Sequence, residues 1–276
     1  MPPTGLAILL GAGPTTGSGI ARVLARPSQG NLAVALLSRS GDVQLAERLS
    51  RESSGGVLKA FKTDTSVQSL NDAFDEIKQW SESLGKEMKL KLAVWSIKHS
   101  HKTPFEDESA QRFGDSLQIY VTGAMVFSQL CLKWMLAQYP ADVEKSSESG
   151  GEDMMIKKGT LIFTGTLGAL RTNPGYAAYG AGRAGVRMLA QSLAREYSPK
   201  GVHVVHAIAN GGIVDVDSSA GSGGEAGSEA KEKTAKVMLG EKIRAESVGR
   251  LYLDCMRQSC DLWVHELDMR PAREKF

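Results

Sequence analysis

This chain has little with which to enter or cross a membrane. It contains no run of eighteen apolar residues, and its opening, MPPTGLAILLGAG, has five apolar residues before a glycine and no basic stretch ahead of them. That pattern fits neither a membrane span nor a signal peptide. Cysteine is scarce. The three present, Cys131, Cys255 and Cys260, are odd in number and form no CxxC pair, so buried or inert thiols in a reducing compartment are expected. Excess charge is also missing. With 33 basic and 31 acidic residues the net charge is +2, which makes no electrostatic case for nucleic acid. The runs KEMKLK (86–91) and KEKTAK (231–236) mix signs or sit beside acids and read as solvated surface. The expectation is a cytoplasmic protein that engages neither membrane nor nucleic acid.

What the chain does have is a rhythm of apolar runs and helical stretches. Residues 6–13, 32–39, 56–64, 90–97, 159–165, 201–209 and 261–269 read as seven strands. Between the third and fourth lies an amphipathic stretch (66–84) with Leu70, Phe74, Ile77 and Leu84 near helical spacing. Continuously apolar strands alternating with helices predict a parallel sheet covered on both faces, a doubly wound α/β fold in one domain across residues 1–276. Two segments break the pattern. Residues 140–159 are polar and read as an inserted surface loop. Residues 217–236 are rich in Gly, Ser, Ala and Glu and read as mobile, either a linker or a lid over ligand.

The first strand runs into LLGAGPTTGSGIARVLA. Gly11 and Gly13 close the strand, and Gly17 and Gly19 open a helix carrying Ile20, Val23 and Leu24. A strand, glycine turn and helix place backbone N–H groups and the helix dipole against a pyrophosphate, with no Cβ in the way. The second strand ends in Ser38, Arg39 and Ser40, where an acid would accept from a ribose 2′-hydroxyl. A guanidinium between two hydroxyls suits a 2′-phosphate instead, so the expected cofactor is NADP(H).

Four stretches together resemble the short-chain dehydrogenase/reductase family over residues 5–215. They are AGPTTGSG (12–19), Asp64 in KTDTS, GALRTNPGYAAYGAGRAGV (168–186) and HAIANGGI (206–213). The resemblance implies a Rossmann-like sheet of about seven strands. It implies that Gly11, Gly13, Thr15, Thr16, Gly17, Ser18, Gly19, Ile20, Asp64, Thr65, Trp95, Ser96, Gly211 and the amide of Ile213 contact the cofactor. It also implies that Tyr179 protonates a carbonyl oxygen as nicotinamide delivers hydride. Thr166, thirteen residues earlier, would hydrogen-bond that oxygen, and Arg183, four residues later, would hold the nicotinamide ribose.

The chain departs from the family at several of these positions. Arg183 stands where the family has lysine, and arginine cannot pass a proton along a relay. Tyr120 stands where an asparagine completes that relay, and reads as either a substitute acid or a packed helix residue. WSIK (95–98) replaces the family's NNAG and is expected to put bulk near the cofactor. Asp215 occupies a position where threonine often meets the pyrophosphate, so either its carboxylate faces away or the loop differs. Tyr176 lacks a cationic partner and reads as pocket wall or core. His99 and His101 lie near the expected mouth with no third ligand nearby, so no metal site is expected; His203 and His206 read as structural.

The substrate pocket is expected from residues 95–105, 167–176 and 212–240, around a small molecule. The resemblance further implies a homodimer or homotetramer. The leading expectation is an NADPH-dependent reductase of a carbonyl or imine. The alternatives are a repurposed scaffold that couples reduction to a step such as ring closure in specialised metabolism, and a non-catalytic NADPH-binding protein.

Overall fold

In the computed structural model, residues 1–85, 88–139, 155–218 and 225–274 are described. Six strands and the helices after them alternate along most of the chain: β1 (Leu6–Leu10), α1 (Thr16–Ala25), β2 (Ala33–Ser38), α2 (Val43–Glu52), β3 (Leu58–Lys62), α3 (Val67–Ser83) and β4 (Leu90–Trp95). Next come α4 (Ala110–Leu117), a π turn (Gln118–Thr122) and α5 (Gly123–Ala137), then β5 (Gly159–Thr166), α6 (Ala177–Tyr197) and β6 (Val202–Ala209). The short β7 (Ile213–Val214) is followed by α7 (Glu225–Met238), β8 (Ile243–Arg244), α8 (Ala245–Arg257) and β9 (Glu266–Met269).

The main sheet has seven parallel strands in the order β3-β2-β1-β4-β5-β6-β9, as the apolar runs predict. Alternate side chains leave opposite faces. Leu6, Ile8 and Leu10 meet the layer of α3, α5 and α6, while Ala7 and Leu9 meet α1, α2 and α8. The helix Ala110–Ala137 is long and apolar enough to cross a membrane by length and composition, but half of its most apolar window is buried inside the protein. Its apolar face is core: Phe127, Cys131 and Met135 are all fully covered.

Gly19 lets α1 cross α8 closely. A Cβ there would fall 2.4 Å from the Ala245 carbonyl carbon. Beside that crossing Arg22, fully buried, donates to Glu52 at 2.8 Å, to Glu246 at 3.1 Å and through both terminal nitrogens to Asp215.

One expectation needs correction, and two segments are described only in part. The last strand is shorter than residues 261–269, because Trp263 stacks on His203 (5.0 Å) before pairing begins at Glu266. Most of the polar loop, 140–154, lies outside the described residues, and Gly159 already belongs to β5. The segment 217–236 is not uniformly loose. Asp217 is held by Arg244 (2.8 Å), Ser218 by Arg48, and Glu225 onward is helical; 219–224 lie outside the described residues.

Candidate active site

The order β2-β1-β4 reverses the chain's direction across the sheet between β1 and β4, and the crevice outside the carboxyl ends of such strands is where ligands bind in this architecture. Gly11 ends β1 with φ +94°, and a Cβ on it would lie 2.1 Å from the Ser96 carbonyl oxygen, so only glycine lets the β1 and β4 ends meet. The resulting cavity, about 490 Å³, is lined by Gly11, Gly13, Ser38, Arg39, Asp64, Thr65 and Ser96 among the expected residues. It also takes in Ile97, Lys98, His99, Gln118 and Ile119.

Those walls fit a nicotinamide dinucleotide. A Cβ on Gly13 would meet no atom outside its neighbours closer than 3.9 Å, so the turn leaves open space where a phosphate would lie. Arg39 is exposed and makes no side-chain hydrogen bond or ion pair among the described residues. Asp64 accepts the Ser66 N–H at 2.7 Å, and the hydrogen bonds from Ser66 hold its carboxyl below the usual aspartate range. It is therefore ionised at the cavity rim.

Other expected contacts lie elsewhere. Ser18 is fully buried and donates its hydroxyl to the Gly13 carbonyl at 3.0 Å, which fixes the turn. Ile20 is core, and Gly17 packs on the Ala12 backbone. Thr15, Thr16 and Ser40 stay outside the cavity lining. The bulk of Trp95 is directed into the core, fully buried with its ring 5.5 Å from Phe127, so WSIK lines the cleft through Ser96, Ile97 and Lys98.

Beyond β5 a second cavity, about 550 Å³, is lined by Ser100, Leu167, Gly168, Arg171, Thr172, Asn173, Tyr176 and Tyr179. Tyr176 is thus pocket wall. The Tyr179 hydroxyl lies 2.6 Å from Thr166 Oγ1 at the end of β5, so the two side chains the resemblance singled out do meet.

Arg183 and Tyr120 are placed differently from the roles the resemblance implies. Arg183 is 3% exposed and lines neither cavity. Its terminal nitrogens donate to the Thr164 carbonyl (3.1 Å) and the Ile97 carbonyl (2.8 Å). Its guanidinium lies 4.4 Å from the Tyr120 ring centre and 5.3 Å from that of Tyr179. Tyr120, in the π turn, is fully buried, and its hydroxyl accepts the His99 N–H at 2.8 Å. Burial pushes its phenol above the usual tyrosine range. It packs against Gly182 of α6 and lines neither cavity.

Asp215 does face away, into Arg22. Gly211, with φ +139°, rests against Pro271, and Ile213 belongs to the small β7–β8 pair. His101 pairs with Glu108 at 2.6 Å. His203 has its ring nitrogens 3.1 and 2.9 Å from the Cys255 and Val264 carbonyls, of which the neutral ring donates to one, and His206 sits between β5 and Glu266; burial pushes both imidazoles down to about 4. The sequence reading missed Lys98 and the Arg22 cluster. A charge where the family has glycine was the available signal for Lys98; the cluster, gathered from four distant segments, had none.

The family described as enoyl-(acyl carrier protein) reductase matches residues 13–256. No curated protein matches the chain in sequence. Among solved structures, a short-chain dehydrogenase from Rhodopseudomonas palustris is 20% identical, with a TM-score of 0.69 over 98% of this chain and 100% of that one. An alcohol dehydrogenase from the archaeon Thermococcus sibiricus, complexed with 5-hydroxy-NADP, is 17% identical, with a TM-score of 0.69 over 98% of both. A 3-oxoacyl-[acyl-carrier protein] reductase from Brucella melitensis, in complex with NAD, is 16% identical, with a TM-score of 0.67 over 96% of this chain and 94% of that one. With the family match spanning most of its length and the same seven-stranded fold, the chain belongs to the short-chain dehydrogenase/reductase family of oxidoreductases.

Proposed function

We propose that the protein is an NADPH-dependent reductase of a carbonyl or imine in a small organic molecule. The observation that carries this reading is the Tyr179–Thr166 hydroxyl pair, 2.6 Å apart, with Tyr179 at the wall of the second cavity. When bound, the nicotinamide would supply the hydride. Tyr179 is then the proton donor to the substrate oxygen or nitrogen, and Thr166 orients that atom by a second hydrogen bond. Arg183 sets positive charge behind the phenol ring, where it stabilises the negative charge left as the proton departs. Gly11, Gly13, Asp64 and Ser96 would hold the dinucleotide. Arg39, flanked by Ser38 and Ser40, favours the 2′-phosphorylated form. The relatives in complex with 5-hydroxy-NADP and with NAD support a nicotinamide cofactor of either kind.

One observation favours a second reading, in which reduction is coupled to a further step such as ring closure. Arg183 and Tyr120, which replace the family's relay residues, are both bonded to backbone and closed to either cavity.

Calorimetric titration with NADPH and NADH, on wild type and Arg39→Ala, tests the cofactor assignment. NADPH is expected to bind more tightly than NADH, and the variant to lose about tenfold for NADPH alone. Equal binding of both cofactors by both proteins would remove Arg39 from the site. No binding of either would overturn the reductase reading.

A further inference from the structure

Lys98 sits at the top of an arch held at both feet. Its neighbours Ile97 and His99 line the cofactor cavity with it. Arg183 donates to the Ile97 carbonyl at 2.8 Å, and the His99 N–H donates to the Tyr120 hydroxyl at 2.8 Å. The two holders are stacked on each other, 4.4 Å from guanidinium carbon to ring centre, and both are buried. The backbone on either side of Lys98 is therefore fixed from behind. Lys98 itself is exposed, and its ammonium has no hydrogen bond or ion pair among the described residues.

Its position follows from the strand order. Arg39 lies just past β2, the glycine turn just past β1, and Lys98 just past β4, so the two cations flank the turn from opposite sides. The arch is in direct contact with the turn: the Ser96 carbonyl oxygen fills the space where a Gly11 Cβ would be. A cation beside an open glycine turn, on backbone already ordered, binds an anion without the cost of fixing a loop. Asp64, the acid on the cavity wall, follows β3, two strands away from β1.

We infer that Lys98 binds the diphosphate of a nucleoside diphosphate moiety, and that Arg183 and Tyr120 are positioning residues that hold its arch. For the dinucleotide this rests on the proposed cofactor reading. For ADP it stands independently of that reading. The positions that carry a proton relay in the resembled family thus serve diphosphate binding here.

The test is calorimetry with ADP, NADH and NADPH on wild type, Lys98→Ala, Tyr120→Phe and the double variant. Lys98→Ala is expected to weaken all three ligands by one common factor of about tenfold. Tyr120→Phe keeps the ring and its stacking but removes the acceptor for His99 N–H. It is expected to weaken ADP by about threefold, to add nothing once Lys98 is gone, and to speed amide exchange at 97–99.

Unchanged ADP affinity in Lys98→Ala, or no ADP binding by wild type, would overturn the inference. A loss confined to NADPH would move Lys98 to the 2′-phosphate and overturn the diphosphate assignment. Additive losses in the double variant would reduce Tyr120 to a structural residue and overturn the positioning half. Lys98-dependent ADP binding without binding of either nicotinamide cofactor supports this inference while sinking the reductase reading.

Discussion

Beside the glycine turn two cations, Arg39 and Lys98, are exposed and without protein partners among the described residues; near Tyr179 the cation Arg183 is buried and bonded to backbone. Arg39 and Lys98 have no protein partners among the described residues, and the space beside Gly13 is open. Arg183 is 3% exposed with two backbone carbonyls accepting from it, and Tyr120 is fully buried with its hydroxyl engaged. The first end suits the proposed anion. At the second end Arg183 and Tyr120 are tied to the protein, and Tyr179, bonded to Thr166, is at the wall of the second cavity. Arg183 joins the two ends: it holds the Ile97 carbonyl beside Lys98 and lies behind the Tyr179 ring.

The sharpest way to separate the ends is Tyr179→Phe. Turnover is expected to fall by about 10²–10⁴-fold, while calorimetric NADPH affinity stays near wild type. A large loss of affinity would show that the two ends are not independent. Gly11→Ala attacks the seam between them. Its φ of +94° and the Ser96 carbonyl leave no place for a methyl group, so a stability loss of about 1–3 kcal/mol from backbone strain alone is expected. Denaturant unfolding measures it, and cofactor binding should weaken in parallel.

Acid probes the strands under the catalytic end. Burial holds His203 and His206 down to about 4, from an ordinary value of 6.5. Above pH 6.5 neither the folded nor the unfolded chain protonates them, so they do not affect stability there. Between pH 6.5 and about 4 the unfolded chain takes up protons that the folded one refuses. Stability falls with pH by up to about 1.4 kcal/mol per unit for each histidine. His203→Gln is expected to flatten this slope in urea unfolding at pH 7, 6 and 5; an unchanged slope would show that His203 titrates normally. The smallest effect is Thr166→Ser, which keeps the hydroxyl facing Tyr179 and is expected to hold turnover within about twofold.

Much of this fold is legible before any coordinates, because its signals are local. Six of the seven strands fall where the apolar runs place them, and Ser66 and Asp42 cap α3 and α2 through side-chain bonds to nearby amides. The motif holding Thr166, Tyr179 and Arg183 is likewise local, and two of the three hydrogen-bond as the resemblance implies. Contacts made across the chain are not legible. Arg183 and Ile97 are 86 positions apart, Arg22 and Asp215 are 193 apart, and neither pair leaves a pattern in the sequence. Trp95 misleads for the same reason. Its position after an apolar run suits either cleft or core, and only the space beside Phe127 decides between them.

The sequence by itself determines the doubly wound sheet and the glycine turn at its switch point, since each follows from residue type and spacing along the chain, and its resemblance to the family singles out the tyrosine–threonine pair. Tertiary structure decides where the charges go. An arginine, lysine or aspartate is compatible with solvent, ligand or ion pair alike, and which of these it meets depends on groups that folding brings from far along the chain. That is why Asp215 turns to Arg22 and Arg183 to two backbone carbonyls, while Arg39 and Lys98 are left facing the crevice.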